Sequence, residues 1–208
     1  MHVKFGTNAK VSLVSKHMWE EPCISGKNGS GTVFFSGCNL KCVFCQNYKI
    51  SQEKSTGKEV STEELAEIFL FSQKDDVHNI NLVSPTSYIY HIKEAINLAK
   101  SKGLSIPVVY NTNSYENEDS IKELNGLIDV YLADLKYYDD DLAFKYSGAP
   151  NYFEHATKAI LQMYYQVGKT AFFDNGLMKK GLIIRHLVLP RSNRGLKKNI
   201  ELDKRKHS

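Results

Sequence analysis

Five short apolar runs rich in β-branched residues recur along the chain, at Thr32 to Phe35, Ile80 to Val83, Ile106 to Tyr110, Ile128 to Leu132 and Leu182 to Leu189. A run of that length without polar alternation reads as a strand covered on both faces, the condition of parallel sheets layered with helices. Between the runs the apolar spacing is helical. Ser61 and Glu64 predict a capping box, followed by Leu65, Ile68, Phe69 and Ser72 at i, i+3, i+4 and i+7. Ile89, Ile92, Ile96 and Ala99 line one face of a second helix that Gly103 can stop, Ile121 and Leu124 precede Gly126 in the same way, and Phe153 to Val167 predicts a longer helix ending at Gly168. Asn175-Gly176 marks a tight turn, so residues 171–177 are expected to form a small hairpin before the last strand. Strand and helix in alternation imply right-handed βαβ units and an α/β fold with a parallel sheet, either barrel-like or doubly wound. Both arrangements put ligands at the C-terminal ends of the strands. Residues just after each run are therefore the candidates for function.

The chain of 208 residues fits one domain with a sizeable core, and its 42% hydrophobic and 24% charged residues exclude the disordered and fibrous classes. Lys4, Asn8 and Lys10 interrupt the N-terminal stretch, which therefore lacks the apolar run of a signal peptide, and no later segment is long enough to span a membrane. A cytoplasmic protein without membrane partners is expected. The net charge of +4 is concentrated in residues 191–208, which carry seven basic side chains against Glu201 and Asp203 and no interleaved aromatic residue. Nucleic acid is accordingly not an expected partner, and 191–208 reads as a basic, disordered tail after a core domain over 1–190 with an N-terminal extension of about 30 residues.

Three of the four cysteines fall within eight residues, in the segment Ser36-Gly37-Cys38-Asn39-Leu40-Lys41-Cys42-Val43-Phe44-Cys45-Gln46-Asn47 directly after the first apolar run. That density suits a metal site in a reducing compartment better than a disulfide framework. Thiolates at Cys38, Cys42 and Cys45 on one short loop can each take one iron of a 4Fe–4S cluster, leaving the fourth iron without a protein ligand. An open iron on a redox cluster can be chelated by the amino and carboxylate groups of S-adenosylmethionine, whose carbon–sulfur bond then breaks on one-electron reduction. The competing reading is structural zinc or a plain iron–sulfur site without catalysis. Zinc, however, prefers four protein ligands in a closed tetrahedron, and Cys23 is distant in sequence and reads as a small buried hydrophobe.

The Cys38, Cys42, Cys45 triplet with Phe44 resembles the signature of the radical S-adenosylmethionine superfamily. Glu21 to Gly26, Gly31 to Ser36, Val109-Tyr110-Asn111-Thr112, Asp134-Leu135-Lys136-Tyr137 and Arg185 to Pro190 look like the branch of pyruvate formate-lyase activating enzymes, so that the likeness runs from about His17 to Pro190. The resemblance implies a partial (β/α) barrel with parallel strands, a 4Fe–4S cluster, S-adenosylmethionine as co-substrate, and a 5′-deoxyadenosyl radical for hydrogen abstraction. It further implies a protein substrate such as a glycyl radical enzyme, and an electron donor of the flavodoxin or ferredoxin type. Such relatives continue beyond the Leu-Pro step, so a chain shortened after Pro190 is expected to bind its cluster, turn over poorly and self-associate through an uncovered strand edge.

By the same resemblance Phe44 lies near the adenine. Ser84-Pro85-Thr86 occupies the place where many relatives carry Gly-Gly-Glu for the methionine amino group; Ser84 and Thr86 can serve there through a backbone carbonyl or simply cap a helix. Asn111, Thr112 and Asn113 offer short polar groups for a ribose or a hydrated cation, with a bare turn as the alternative. Asp134 and Lys136 stand two apart on one side of a strand, either paired with each other or holding the cofactor carboxylate and its counter-ion. Arg185, inside the last apolar run, calls for a planar anionic partner, either the methionine carboxylate or an internal Asp. Gly26, Gly29 and Gly31 precede a strand and open no helix, so they read as a turn and not as a phosphate loop.

Overall fold

The computed structural model describes residues 8–52 and 57–189. In chain order its elements are β1 (Ala9–His17), α1 (Pro22–Ser25), β2 (Ser30–Phe35), α2 (Tyr48–Ser51), β3 (Lys58–Val60), α3 (Thr62–Lys74), β4 (Ile80–Val83), a 3-10 turn (Thr86–Tyr88), α4 (Ile89–Ser101), β5 (Val108–Thr112), α5 (Glu118–Lys122), β6 (Val130–Leu135), α6 (Asp140–Ser147), α7 (Tyr152–Val167), β7 (Ala171–Phe172) and β8 (Met178–His186). The strands form one sheet in the order β3-β1-β2-β4-β5-β6-β8-β7. The five apolar runs become β2, β4, β5, β6 and β8, consecutive neighbours that all run parallel. The mostly parallel sheet with its covering helices is the α/β, partial-barrel architecture expected.

Local chemistry accounts for the helices. Ser61 and Glu64 form the reciprocal capping box of α3, and Leu65, Phe69 and Ser72 are buried along it. In α4 the predicted stripe Ile89, Ile92, Ile96 and Ala99 is buried. Gly103, Gly126 and Gly168 all take positive φ just beyond their helices. Two strand boundaries move toward the site. Pro107 has no N–H to give the ladder, so β5 starts at Val108 and runs on through Asn111 and Thr112, while β6 runs on through Asp134. The hairpin also differs in its pairing. The Ala171–Phe172 arm pairs antiparallel with β8 itself across the turn at Gly176, so the last strand begins at Met178.

Antiparallel β1 and β3 and the short helix α6 have no counterpart among the expected elements. β1 alternates polar and apolar residues and leaves Leu13 and Val14 exposed, so it never forms an apolar run. α6 opens on an acidic stretch in which Asp139 caps the Leu142 N–H.

The two faces of the parallel strands bury different things. Val33, Phe35, Ile80, Leu82, Val108, Tyr110 and Tyr131 pack on one side with α3, α4 and α7 in the main core. On the other side Val109, Val130 and Leu132 meet Ile24 and Cys23 of α1. The segment from Glu20 to Gly26 thus fills the inner face, and Gly26 ends it at φ +48, where a Cβ would stand 2.6 Å from Leu177 and 2.8 Å from His78. Among the described residues no helix is long and apolar enough to cross a membrane. The tail expected at 191–208, and with it the expectation about the chain end, lies outside the described residues.

Candidate functional site

The cysteine loop leaves the C-terminal end of β2 and is tied down at both ends. Tyr88 Oη donates to Ser36 O at 3.0 Å, the Gly37 N–H donates to Ile50 O, and the Lys41 and Val43 N–H groups donate to Ser147 O and Tyr146 O at the end of α6. Each sulfur has polar company. Leu40 N and Asn113 Nδ2 both lie 3.4 Å from Cys38 Sγ, Ser147 Oγ lies 3.0 Å from Cys42 Sγ, and Cys45 Sγ is 3.3 Å from Ser51 Oγ. Burial pushes the Cys38 and Cys42 thiols up, and the neighbouring cysteines push the same way, so ionised sulfurs here call for a metal.

Among the described residues no three Cys, His, Asp or Glu side chains gather closely enough to share a single ion. Three thiols on one loop, each beside an N–H or O–H donor, suit a cubane, in which each thiolate takes a different iron and such donors tune the sulfurs. Cys23 packs among the apolar residues of the inner face instead. The donor set therefore fits a cluster held by the three loop cysteines.

Beside the loop an open pocket of about 540 Å³ extends over the strand ends. That volume suits a nucleoside-sized ligand. Its walls bring together Cys38, Cys45, Phe44, Ser84, Asn111, Thr112, Asn113, Asp134, Lys136 and Arg185, residues contributed by the loops and ends of five strands. Cys42 and Thr86 do not line it.

Across the pocket floor the charged groups partner one another. Arg185 Nε donates to Asp134 Oδ1 at 2.8 Å and Nη2 to Asn111 Oδ1 at 2.7 Å, while the Lys136 ammonium pairs with Asp134 Oδ2. Of the two alternatives for Asp134 and Lys136 the internal ion pair is present, with Arg185 as a third member. Burial would lower the Arg185 pKa, but Asp134, Glu21 and Glu20 together outweigh it and hold the guanidinium charged. Glu20 enters the network from the chain before α1. Its Oε1 accepts from Asn81 Nδ2 at 3.1 Å and Asn111 Nδ2 at 3.4 Å, and Oε2 lies 3.6 Å from Arg185 Nη1. Burial raises the Glu20 carboxyl despite Arg185.

Ser84 lines the pocket at φ 56, and neither it nor Thr86 caps a helix by its side chain. The Thr86 hydroxyl points elsewhere, to Glu116 Oε1 at 2.8 Å, where Thr112 Oγ1 and Tyr110 Oη also donate at 2.6 and 3.2 Å. The Thr86 hydroxyl is thus engaged by a buried carboxyl behind the pocket, which leaves its backbone carbonyl as the group it can offer a ligand. Burial raises the Glu116 pKa, and its Oε2 is buried without a hydrogen-bond partner. Tyr152 ties the neighbouring loops together, with its hydroxyl 2.9 Å from both Asn113 O and Asp134 O and 3.0 Å from the Lys136 N–H.

Glu20, Glu116 and Tyr152 are the residues that the sequence reading misses. Glu116 stands beside Glu118 and Asp119 with no motif to set it apart, and the partners of Glu20 lie 61 to 165 positions away along the chain. The one available signal for Glu20 was its place beside Glu21-Pro22-Cys23.

A model of the Radical SAM superfamily matches residues 32–182. An uncharacterized Methanocaldococcus jannaschii protein, MJ0674, is 33% identical over 171 residues, covering 77% of this chain and 45% of its own length. A second protein of that organism, MJ1227, named as a glycyl-radical enzyme activating enzyme, is 37% identical over 113 residues, covering 53% of this chain and 44% of its own length. The chain thus spans less than half the length of both curated relatives. Solved structures share the fold. Streptococcus suis SuiB matches with a TM-score of 0.53 at 19% identity, over 80% of this chain and 34% of that one. A SuiB structure with S-adenosylmethionine bound gives 0.52 at 18%, over 83% and 34%. Methylornithine synthase gives 0.51 at 14%, over 74% and 43%.

Proposed function

The chain belongs to the radical SAM superfamily, and on that premise we propose that it holds a 4Fe–4S cluster on Cys38, Cys42 and Cys45 and cleaves S-adenosylmethionine reductively. The observation that carries this reading is a loop of three hydrogen-bonded thiols, two of which, Cys38 and Cys45, line a pocket walled by strand ends. A reduced cluster of this kind supplies the electron that breaks a carbon–sulfur bond of S-adenosylmethionine and yields a 5′-deoxyadenosyl radical.

The chain's own residues bind, orient and shield. Phe44, Phe34, Val83 and Leu187 give the pocket its apolar wall, with Phe44 beside the cysteines for the adenine. Arg185 and Lys136 offer the cations for a ligand carboxylate, and Asp134, bonded to both, keeps them in place. Asn111 and Ser84 supply short polar groups for the ribose and the methionine end, Thr112 lines the pocket with its hydroxyl held by Glu116, and Asn113 donates to Cys38 and orients the loop.

The finer reading is hydrogen abstraction from a partner polypeptide, a glycyl radical enzyme or a protein like it, with the electron delivered by a flavodoxin or ferredoxin. The name of MJ1227 supports it. The rival is an iron–sulfur or zinc protein without turnover. Anaerobic reconstitution with iron and sulfide, followed by dithionite and S-adenosylmethionine, separates the two. Release of 5′-deoxyadenosine is expected; a loaded protein that returns the cofactor uncleaved would favour the rival.

A further inference from the structure

The three loop sulfurs are not held alike. Cys38 takes its contacts from the N–H groups of Leu40 and the Asn113 amide, both at 3.4 Å, and Cys45 lies 3.3 Å from Ser51 Oγ. Ser147 Oγ donates to Cys42 Sγ at 3.0 Å, the shortest of these contacts, and itself lies 2.7 Å from Tyr137 Oη. Both hydroxyl residues are buried, with Ser147 1% and Tyr137 3% exposed. The end of α6 also clamps the backbone on either side of this cysteine, since the Lys41 N–H donates to Ser147 O and the Val43 N–H to Tyr146 O. Cys42 does not line the pocket, so the contact is separate from the ligand walls.

The proton inventory gives this chain of hydroxyls a direction. Serine and tyrosine carry one hydroxyl proton each, while a thiolate bound to iron has none and can only accept. Ser147 therefore spends its proton on Cys42, and its oxygen accepts from Tyr137. A hydroxyl that accepts one bond donates a stronger one, the more so in a site shielded from water. A hydrogen bond to a ligand sulfur gains strength as negative charge builds on it, so such donors favour the reduced form of a cluster. Resting on the cluster reading above, we propose that Tyr137 and Ser147 form a two-hydroxyl relay onto Cys42 that raises the reduction potential of the cluster, with Tyr137 as a positioning residue acting through Ser147. The segment that ends β6 then has two uses: Asp134 and Lys136 wall the pocket, and Tyr137 serves a sulfur outside it.

A redox titration of the anaerobically reconstituted protein, followed by electron paramagnetic resonance without S-adenosylmethionine, reads the midpoint of one-electron reduction, with iron and sulfide content as the check on loading. Ser147→Ala is expected to lower the midpoint by about 30–60 mV, a change of about three- to tenfold in the equilibrium at about 59 mV per tenfold. Tyr137→Phe, which keeps the ring and Ser147, shifts it the same way by less. The double variant matches Ser147→Ala, because Tyr137 has no path to the sulfur once the serine hydroxyl is gone. Ser147→Thr, which keeps a hydroxyl, stays near the wild type. Unchanged midpoints in the loaded Ala and Phe variants would make both hydroxyls packing groups and overturn the proposal, as would shifts that add in the double variant or a Thr variant shifted as far as Ala. If Ser147→Ala fails to load, Tyr137→Phe decides alone, and a midpoint equal to that of the wild type overturns the proposal. A wild type that holds no reducible 4Fe–4S cluster would instead remove the cluster reading itself, and the relay with it.

Discussion

The two faces of the five parallel strands follow opposite rules. On the outer face Val33, Phe35, Ile80, Leu82, Val108 and Tyr131 are buried under helices. On the inner face the same strands carry Asn81, Asn111, Asp134 and Arg185, linked to one another and to Glu20 by hydrogen bonds and ion pairs. Because alternate residues of a strand face opposite ways, β6 serves both rules within six residues: Tyr131 enters the helical core and Asp134 the pocket. Stability and chemistry are thus separated by side of the sheet and not by region of the chain, which makes them separable by mutation.

The largest effect belongs to the cysteine loop. Cys38→Ser, Cys42→Ser or Cys45→Ser is expected to abolish both the cluster and 5′-deoxyadenosine release, whereas Cys23→Ser, in the apolar packing around α1, keeps both. Iron and sulfide analysis after anaerobic reconstitution checks this, and loss of iron in the Cys23 variant alone would reverse the assignment. Next comes the outer face. Leu82→Ala leaves a cavity in a fully buried position and should cost about 2–5 kcal/mol in urea unfolding, with the folded fraction still able to load iron.

Asp134→Ala and Lys136→Ala reverse that pattern on the inner face. Cofactor affinity should fall by about 1–3 kcal/mol with iron content intact, as calorimetric titration can establish. If both variants bind S-adenosylmethionine as the wild type does, the charged floor is only structural. The smallest effect concerns Glu116, the buried acid behind the pocket. Its folded pKa is raised by burial, so its contribution to stability is fully present below the ordinary carboxylate pKa and is lost as pH rises through the raised value. Urea midpoints for Glu116→Gln should therefore lack part of the decline that the wild type shows from acidic toward neutral pH. Parallel profiles would mean that the carboxyl titrates normally.

Much of this division can be read in the sequence, and unevenly so. Continuous apolar runs locate β2, β4, β5, β6 and β8 because parallel strands covered on both sides need no alternation. The cysteine triplet is legible because its residues are adjacent in the chain. β1 is not legible, since its polar residues break the run, and α6 hides in an acidic stretch. Within the site, Asn111, Asp134 and Arg185 stand out as polar groups at the ends of apolar strands. Glu20 does not, because its partners Asn81, Asn111 and Arg185 come from three other strands that only the folded sheet brings to it. The partner of the Thr86 hydroxyl is hidden for the same reason, since Glu116 lies 30 positions further along the chain.

The central claim is that the three loop cysteines hold a cluster on which S-adenosylmethionine acts from the adjoining pocket. Electron paramagnetic resonance of the reconstituted, dithionite-reduced protein, recorded before and after addition of S-adenosylmethionine, tests it most directly. A reduced 4Fe–4S signal that changes on addition of the cofactor and disappears in Cys42→Ser is the predicted result. A cluster signal indifferent to S-adenosylmethionine, or one that survives loss of Cys42, would contradict it.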